Sequence, residues 1–315
     1  MLIFAEIYDI LFENIMCKVI TIPHVNNDDN IGYAFNYLLK VIDSTEKSLD
    51  DCVVWDFNKA EYFHPFFIAP LAIYKRKCGK NVKLINLSDK CEGYFSSVHF
   101  DDMLYINKET DMSQVLGGYL SKTYTPLCCF DVCGEHVDNL QSILQKIIEQ
   151  QSDMDKRLKT PLSYFLSELI CNIEQHSGSQ FGYIYTQYIP KEKRIAICIA
   201  DEGITIYGSY VKANKYLDEI DSEAKALEKA NEGFSTKNRP DAESRGFGIS
   251  TTKKMLVDGL KGDFFMFSGN AFHRHNLEYC EFVNLPANIS WGGTIILMRI
   301  PIEVDENFDY NKYVY

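Results

Sequence analysis

The spacing of hydrophobic positions changes character partway along the chain. Up to about residue 105 the apolar residues fall in short β-branched and aromatic runs, at 17–22, 52–57 and 82–86, which predict strands. Between the second and third runs, Pro65 to Lys77 predicts a helix, with Gly79 as its stop signal. Strand, helix, strand at this spacing predicts parallel strands joined by a right-handed crossover. From 138 onward the period becomes helical: Leu140, Ile143, Leu144, Ile147 and Ile148 share one helix face. A second helix starts near Pro161, where proline suits the first turn. Strands follow at 181–188 and 194–201, then a charged stretch at 212–231, a glycine turn into a helix at 249–258, and strands at 262–268 and 293–300. Helices followed by a mostly antiparallel sheet predict a two-layer sandwich. The expected class is α/β (α+β): a small α/β domain over 1–110, a linker with a strand over 111–140, and a sandwich over 141–315.

Length and composition set bounds on this reading. The chain has 315 residues, enough for about two domains, and its 46% hydrophobic and 24% charged content is that of a folded soluble protein. The formal charge of −12 makes nucleic acid an unlikely partner, because sequence-independent binding to phosphate backbones needs a net basic surface. The longest apolar stretch, Phe66 to Tyr74, is interrupted by Pro70 and falls far short of the ~18 residues of a membrane span. Residues 1–16 carry acids and lack a basic start and a small-residue cleavage site, so they do not read as a signal peptide. Ten cysteines without framework spacing suggest reduced, mostly buried thiols and a cytoplasmic location. Cys128, Cys129 and Cys133 near His136 form the only cysteine cluster, and it lacks the paired knuckles of a zinc site.

The candidate chemistry lies in the second half. Glu168, Asn172 and His176 are four residues apart on one predicted helix. Four residues advance a helix by about 400°, so the three side chains form a row. An amide oxygen there can hold Mg2+ and a carboxylate can take a proton; equally, the row can be the solvated stripe of an amphipathic helix. Three further segments weigh against the stripe. Asp201-Glu202-Gly203-Ile204 puts a carboxylate at a strand end beside a glycine turn, and Gly292-Gly293-Thr294 leads the last strand. Arg245-Gly246-Phe247-Gly248-Ile249-Ser250 opens a helix whose free N–H groups face whatever lies before it.

In order and spacing, these four segments resemble the ATP-binding domain of the GHKL superfamily, which includes gyrase-type topoisomerases, heat-shock chaperones, mismatch-repair ATPases, sensor histidine kinases and anti-sigma-factor kinases. The E-x-x-x-N-x-x-x-H box of many members is similar to Glu168 to His176. Their D-x-G-x-G is similar to Asp201 to Thr205, with threonine in place of the second glycine. Their phosphate-side G-x-G is similar to Gly246-Phe247-Gly248, their terminal G-T to Gly293-Thr294, and their lid segment to Gly233 to Lys237. The resemblance covers about 140–303 and implies a sandwich of the Bergerat (GHKL) type binding ATP and Mg2+. It implies that Asp201 and Gly203 recognise adenine with help from Thr294, and that Asn172 holds Mg2+ against the phosphates. Gly246, Phe247 and Gly248 would offer backbone N–H groups, with Ser235, Thr236, Lys237 and Arg245 as lid contacts and Glu168 as general base. His176 is read either as a nucleotide contact or as part of the helix end before Gly178. No phosphoacceptor histidine box precedes the domain, so histidine autokinase activity is not expected.

The first half resembles the STAS fold of anti-sigma-factor antagonists. Where those proteins carry a phosphorylatable D-S-[ST]-G turn, this chain has His64-Pro65-Phe66-Phe67 and no hydroxyl. The resemblance implies a docking module that cannot be phosphorylated at that turn, with Phe63, Phe66 and Phe67 either in the core or in a patch for a partner. Together the two resemblances imply a slow ATPase whose nucleotide state, sensed through a lid over 205–245, governs a protein partner in bacterial signalling, regulation or defence. Many relatives dimerise beside the ATPase domain, which makes the helix at 138–155 the expected homodimer contact. Two alternatives stay open: a serine/threonine kinase acting on a separate STAS partner, and a non-catalytic interaction protein with structural nucleotide or none.

Overall fold

The computed structural model describes residues 17–25, 31–61, 63–236 and 247–314. Residues 1–16, and with them the N-terminal targeting expectation, lie outside the described residues, as do Lys237, Arg245 and Gly246. The fold is mixed α/β. It divides into two compact units, Met1–Asp102 and Met103–Tyr315.

In the first unit, β1 (Lys18–Thr21), β2 (Cys52–Asp56) and β3 (Asn81–Ile85) form a parallel sheet in that order. Helix α1 (Ile31–Glu46) links β1 to β2, α2 (Pro65–Lys77) links β2 to β3, and α3 (Asp89–Val98) follows. The α2 turn is closed without a hydroxyl. Pro65 occupies the first helical position, and the His64 imidazole Nδ1 accepts the Phe66 N–H at 3.1 Å, the capping role usually filled by Ser or Asp. Phe63, Phe66 and Phe67 are buried, which decides for core over an exposed patch. One expectation about cysteine is corrected: Cys17 and Cys52, neighbours at the β1–β2 edge, form a disulfide. Of the free cysteines, Cys91, Cys128, Cys129 and Cys198 are buried, whereas Cys133 and Cys280 are exposed.

The second unit begins earlier than its motifs suggest. β4 (Leu104–Ile106) and β5 (Cys128–Asp131) pair in parallel at one edge of its sheet, with α4 (Met112–Gly117) between them. So 111–140 is not a linker, and the boundary falls at 102/103 rather than 110. The sheet has eight strands, in the order β10-β9-β8-β11-β7-β6-β5-β4, antiparallel apart from that pair. Its other strands are β6 (Phe181–Ile189), β7 (Arg194–Asp201), β8 (Asp263–Gly269), β9 (Ala271–His275), β10 (Cys280–Asn284) and β11 (Trp291–Pro301).

Register explains the core. Cys128, Ile184, Ile199, Ile296 and Met266 are mutual partners across five adjacent strands and so point to one face. Onto that face pack Leu140, Leu144, Ile147 and Ile148 of α5 (His136–Ser152) and Phe165, Leu166, Leu169 and Ile170 of α6 (Lys159–Asn172). Three residues further along the same strands lies a buried charge cluster. The Arg299 Nε donates to Asp263 Oδ2 at 3.0 Å, and Arg194 pairs with the same carboxylate.

The charged stretch at 212–231 is not one solvated face. It contains the end of α7 (Ile206–Ala213) and most of α8 (Glu223–Glu232), each capped by its own hydroxyl residue, Thr205 and Ser222. Ala226, Leu227 and Asn231 of α8 are buried. Helix α9 (Phe247–Lys254) continues as a wide turn, Met255–Gly259, into β8, and α10 (Asn311–Val314) ends the described chain. Among the described residues no helix is long and apolar enough to cross a membrane.

Candidate functional site

The four segments singled out by sequence converge on one cleft of ≈270 Å³ in the second unit. That size is near the lower bound of small-molecule pockets, about 300 Å³. Helix α6 supplies Glu168 and Asn172, and the wide turn after it His176; the β7 end supplies Asp201; β11 supplies Thr294; the start of α9 supplies Gly248; and Ser235 and Thr236 close one side. Gly203 does not line the cleft but supports it from behind.

The end of the cleft at Asp201 is tightly built. Ala200 pairs with Ile295, so Asp201 and Thr294 stand side by side at the ends of adjacent strands. Asp201 is buried; its Oδ1 accepts the Gly203 N–H at 2.8 Å, and its carbonyl accepts the Trp291 Nε1–H at 3.3 Å. Gly293 has φ +92° and lies so close to Asp201 that a Cβ would collide with it, so glycine is required there for both conformation and space. At Gly203 a Cβ would strike the Ser177 carbonyl, to which Ile204 N–H donates at 2.7 Å. The loop after β7 is thus clamped to the wide turn that follows α6. Ser268, fully buried, ties the next layer: it accepts from Ile206 N–H at 2.9 Å and from the Thr294 hydroxyl at 3.2 Å, and donates to the Gly293 carbonyl at 2.8 Å.

Thr205, the departure from D-x-G-x-G, has a structural use. Its hydroxyl accepts the Gly208 N–H at 2.9 Å, capping α7, and donates to Glu223 Oε1 at 3.0 Å. Burial raises the Glu223 carboxyl above the ordinary glutamate value, an effect the Thr205 and Tyr207 hydrogen bonds partly offset.

The other end is looser in hydrogen bonding though close in packing. A Cβ on Gly248 would run into Glu168 Oε2, so the first turn of α9 lies directly against the carboxylate. Asn172 lines the cleft with its amide nitrogen buried and without a hydrogen-bond partner. After Asn172 the helix widens into the turn Ile173–Ser177 before Gly178 reverses it. Residues of such a turn advance by less than those of an α-helix, so His176 leaves the strict row. Its Nδ1 is hydrogen-bonded at 2.9 Å to the Thr236 hydroxyl, itself 3.1 Å from the Ser209 hydroxyl. Tyr210 donates to the Phe234 carbonyl at 2.6 Å, so the residues before 237 are fastened to α7. Phe247 is the first residue of α9, and Lys237, Arg245 and Gly246 fall in the segment outside the described residues.

Sequence reasoning missed Tyr164, Ser209 and Tyr210 as cleft residues. For Tyr164 the signal was present, since it lies four residues before Glu168 on the same helix. Among the described residues no lysine or arginine lines the cleft. No group of three or more His, Cys, Asp or Glu side chains able to hold a metal occurs among the described residues. Compared with known proteins, the chain matches no protein-family model and has no significant match among curated sequences.

Proposed function

We propose that the chain binds Mg-ATP in the cleft of its second unit and hydrolyses it slowly, the nucleotide state governing contact with a protein partner. The observation that carries this reading is the convergence of four segments, distant in sequence, on one small cleft with two carboxylates at opposite ends. The residues fit the ligand. Asp201 is a buried acceptor at the closed end, suited to an exocyclic amino group, and the glycines at 203 and 293 hold it there. At the open end Asn172 has unspent hydrogen-bonding capacity, and the α9 N-terminus supplies N–H groups for phosphate. Bound Mg2+ would neutralise phosphate charge, held through the Asn172 amide oxygen. Glu168 accepts the proton of the attacking water. The α7–α8 segment serves as the lid over the nucleotide. The first unit, with its hydroxyl-free turn, serves as the docking module.

Thermal unfolding with Mg-ATP tests the binding step. At ~100 Kd a ligand of the native state adds about 2.7 kcal/mol, a shift of roughly 5–10 °C for a unit of this size. Asp201→Asn should remove most of that shift. No shift at millimolar Mg-ATP overturns the reading. Glu168→Gln tests chemistry: turnover should fall by about 100-fold or more while the ATP-induced shift remains. Turnover unchanged in that variant rules Glu168 out as the base.

A further inference from the structure

Two hydroxyl groups of the cleft are strung onto an imidazole. The His176 Nδ1 lies 2.9 Å from the Thr236 hydroxyl, whose oxygen lies 3.1 Å from the Ser209 hydroxyl. All three residues line the cleft and are half-buried, so a ligand bound there reaches them. The chemistry proposed above gives none of them a role. A hydroxyl within hydrogen-bond reach of an imidazole is the arrangement that turns a weak oxygen nucleophile into a reactive one. With the ring proton on Nε2, Nδ1 accepts from the Thr236 O–H, and the Thr236 oxygen accepts in turn from the Ser209 O–H. The Thr236 proton is then aimed at the imidazole.

The chain holds this pair in place from both sides. His176 sits in the wide turn Ile173–Ser177, whose Ser177 carbonyl accepts the Ile204 N–H at 2.7 Å. Two residues before Thr236, the Phe234 carbonyl accepts from the Tyr210 hydroxyl at 2.6 Å. The Phe234 ring meets Tyr216 edge-on at 5.1 Å between centroids, and the Lys229 ammonium lies 4.3 Å from its centre. The turn bearing His176 follows Asn172 directly, so the imidazole continues the wall on which phosphate is proposed to sit.

We propose that Thr236 is a self-phosphorylation site: its oxygen attacks the γ-phosphorus of ATP bound in the same cleft, with His176 as general base. The inference rests on the Mg-ATP reading of the cleft. The bond from Thr236 Oγ to phosphorus forms as the bond from phosphorus to the β–γ bridging oxygen breaks. The electron pair of the broken bond leaves with ADP, and the Thr236 proton passes to His176 Nδ1 and then to solvent. The product adds about −1.5 to −2 charges to the cleft. That cleft already holds Glu168 and Asp201 and, among the described residues, no lysine or arginine. A second nucleotide is thereby repelled, and transfer stops after one event.

The test is incubation of the full chain with Mg-ATP labelled in its γ-phosphate, followed by denaturation and phosphosite mapping by mass spectrometry. The label should map to Thr236, survive acid as a phosphoester does, and level off at no more than a single phosphoryl group per chain. Its rate per chain should not depend on protein concentration. Thr236→Ser should keep the label at that position, and His176→Gln should lower the initial rate by about 100-fold. Phosphate on any other residue, an acid-labile label, a rate that grows with protein concentration, or wild-type labelling of His176→Gln overturns the proposal. So does undiminished labelling of Asp201→Asn, which marks a foreign kinase as the donor. If His176→Gln does not fold, the mapping on wild type decides alone. Failure of the parent reading is distinguishable, because there Mg-ATP leaves the wild-type melting temperature unchanged. Failure of this proposal alone leaves that shift in place with no phosphate on Thr236.

Discussion

The two ends of the cleft are built on opposite plans. Around Asp201 the polar groups are paired with one another: Oδ1 with Gly203, the carbonyl with Trp291, Thr294 with Ser268, Ser177 with Ile204. Two glycines there admit no methyl group because backbone atoms stand in the way. Around Glu168 the obstruction at Gly248 is the tip of a side chain, and the Asn172 amide nitrogen has no partner. A buried polar group left unpaired costs about 1–3 kcal/mol, which a ligand or ordered water can recover. One end is therefore satisfied within the chain, and the other leaves a buried donor for a ligand or water to complete. That is the division expected of a site that binds one part of a molecule and reacts at another.

The contrast is broken most severely at Gly203. In Gly203→Ala the new methyl meets the Ser177 carbonyl, which cannot yield without moving the end of α6. Overpacking of this kind costs about 3 kcal/mol, so the melting temperature should drop by roughly 10 °C and Mg-ATP should no longer raise it. A variant as stable as wild type would show that the loop and helix end are not clamped. Gly248→Ala is the matched experiment at the other end. Here the methyl displaces only the Glu168 carboxylate, and alanine in a helix recovers up to about 1 kcal/mol over glycine. Stability and ATP binding should stay within about 1 kcal/mol of wild type, while turnover falls about 10-fold or more. Equal damage from both substitutions would erase the distinction between the two ends.

This asymmetry also governs what could be read from the sequence. Asp201, Gly293 and Thr294 were legible because a glycine at a close backbone approach leaves a fixed mark at a strand end. The strand pairs carrying them were legible because β6, β7, β8 and β11 are long and strongly apolar. Helix α1 was missed although Ala34, Leu38, Val41 and Ile42 repeat at helical spacing and are buried. β9 and β10 were missed for a better reason: AFHRH and CEFVN are short and mix charge with aromatics, and pairing rather than propensity makes them strands. The boundary was misplaced because β4 is three residues long and joins the second sheet through partners more than twenty residues away. No local pattern announces a long-range partner. Tyr164 was overlooked because tyrosine at helical spacing is ordinary core material until the cleft it lines is seen.

The smallest expected effect lies between the loop after β7 and α8, where Thr205 joins Glu223. Glycine at 205, the residue that the GHKL pattern prefers, would remove the α7 cap's hydroxyl and leave Glu223 one donor short. Replacing a hydroxyl cap by glycine costs only a few tenths of a kcal/mol, so most of any loss in Thr205→Gly would report the link to Glu223. That carboxyl binds its proton more tightly folded than unfolded, because burial disfavours its charge. The sign follows from linkage. Its favourable contribution is complete below the unfolded glutamate value of 4.5 and is lost as pH rises from there through the higher folded value. Glu223→Gln, which keeps an acceptor for Thr205, should therefore flatten the fall in melting temperature over that window and stabilise the protein at neutral pH. Melting curves of the wild type and this variant between pH 4 and 8 measure it. An unchanged slope would mean that Glu223 titrates as an ordinary surface acid and that the loop and α8 are joined by nothing more than the Thr205 hydroxyl.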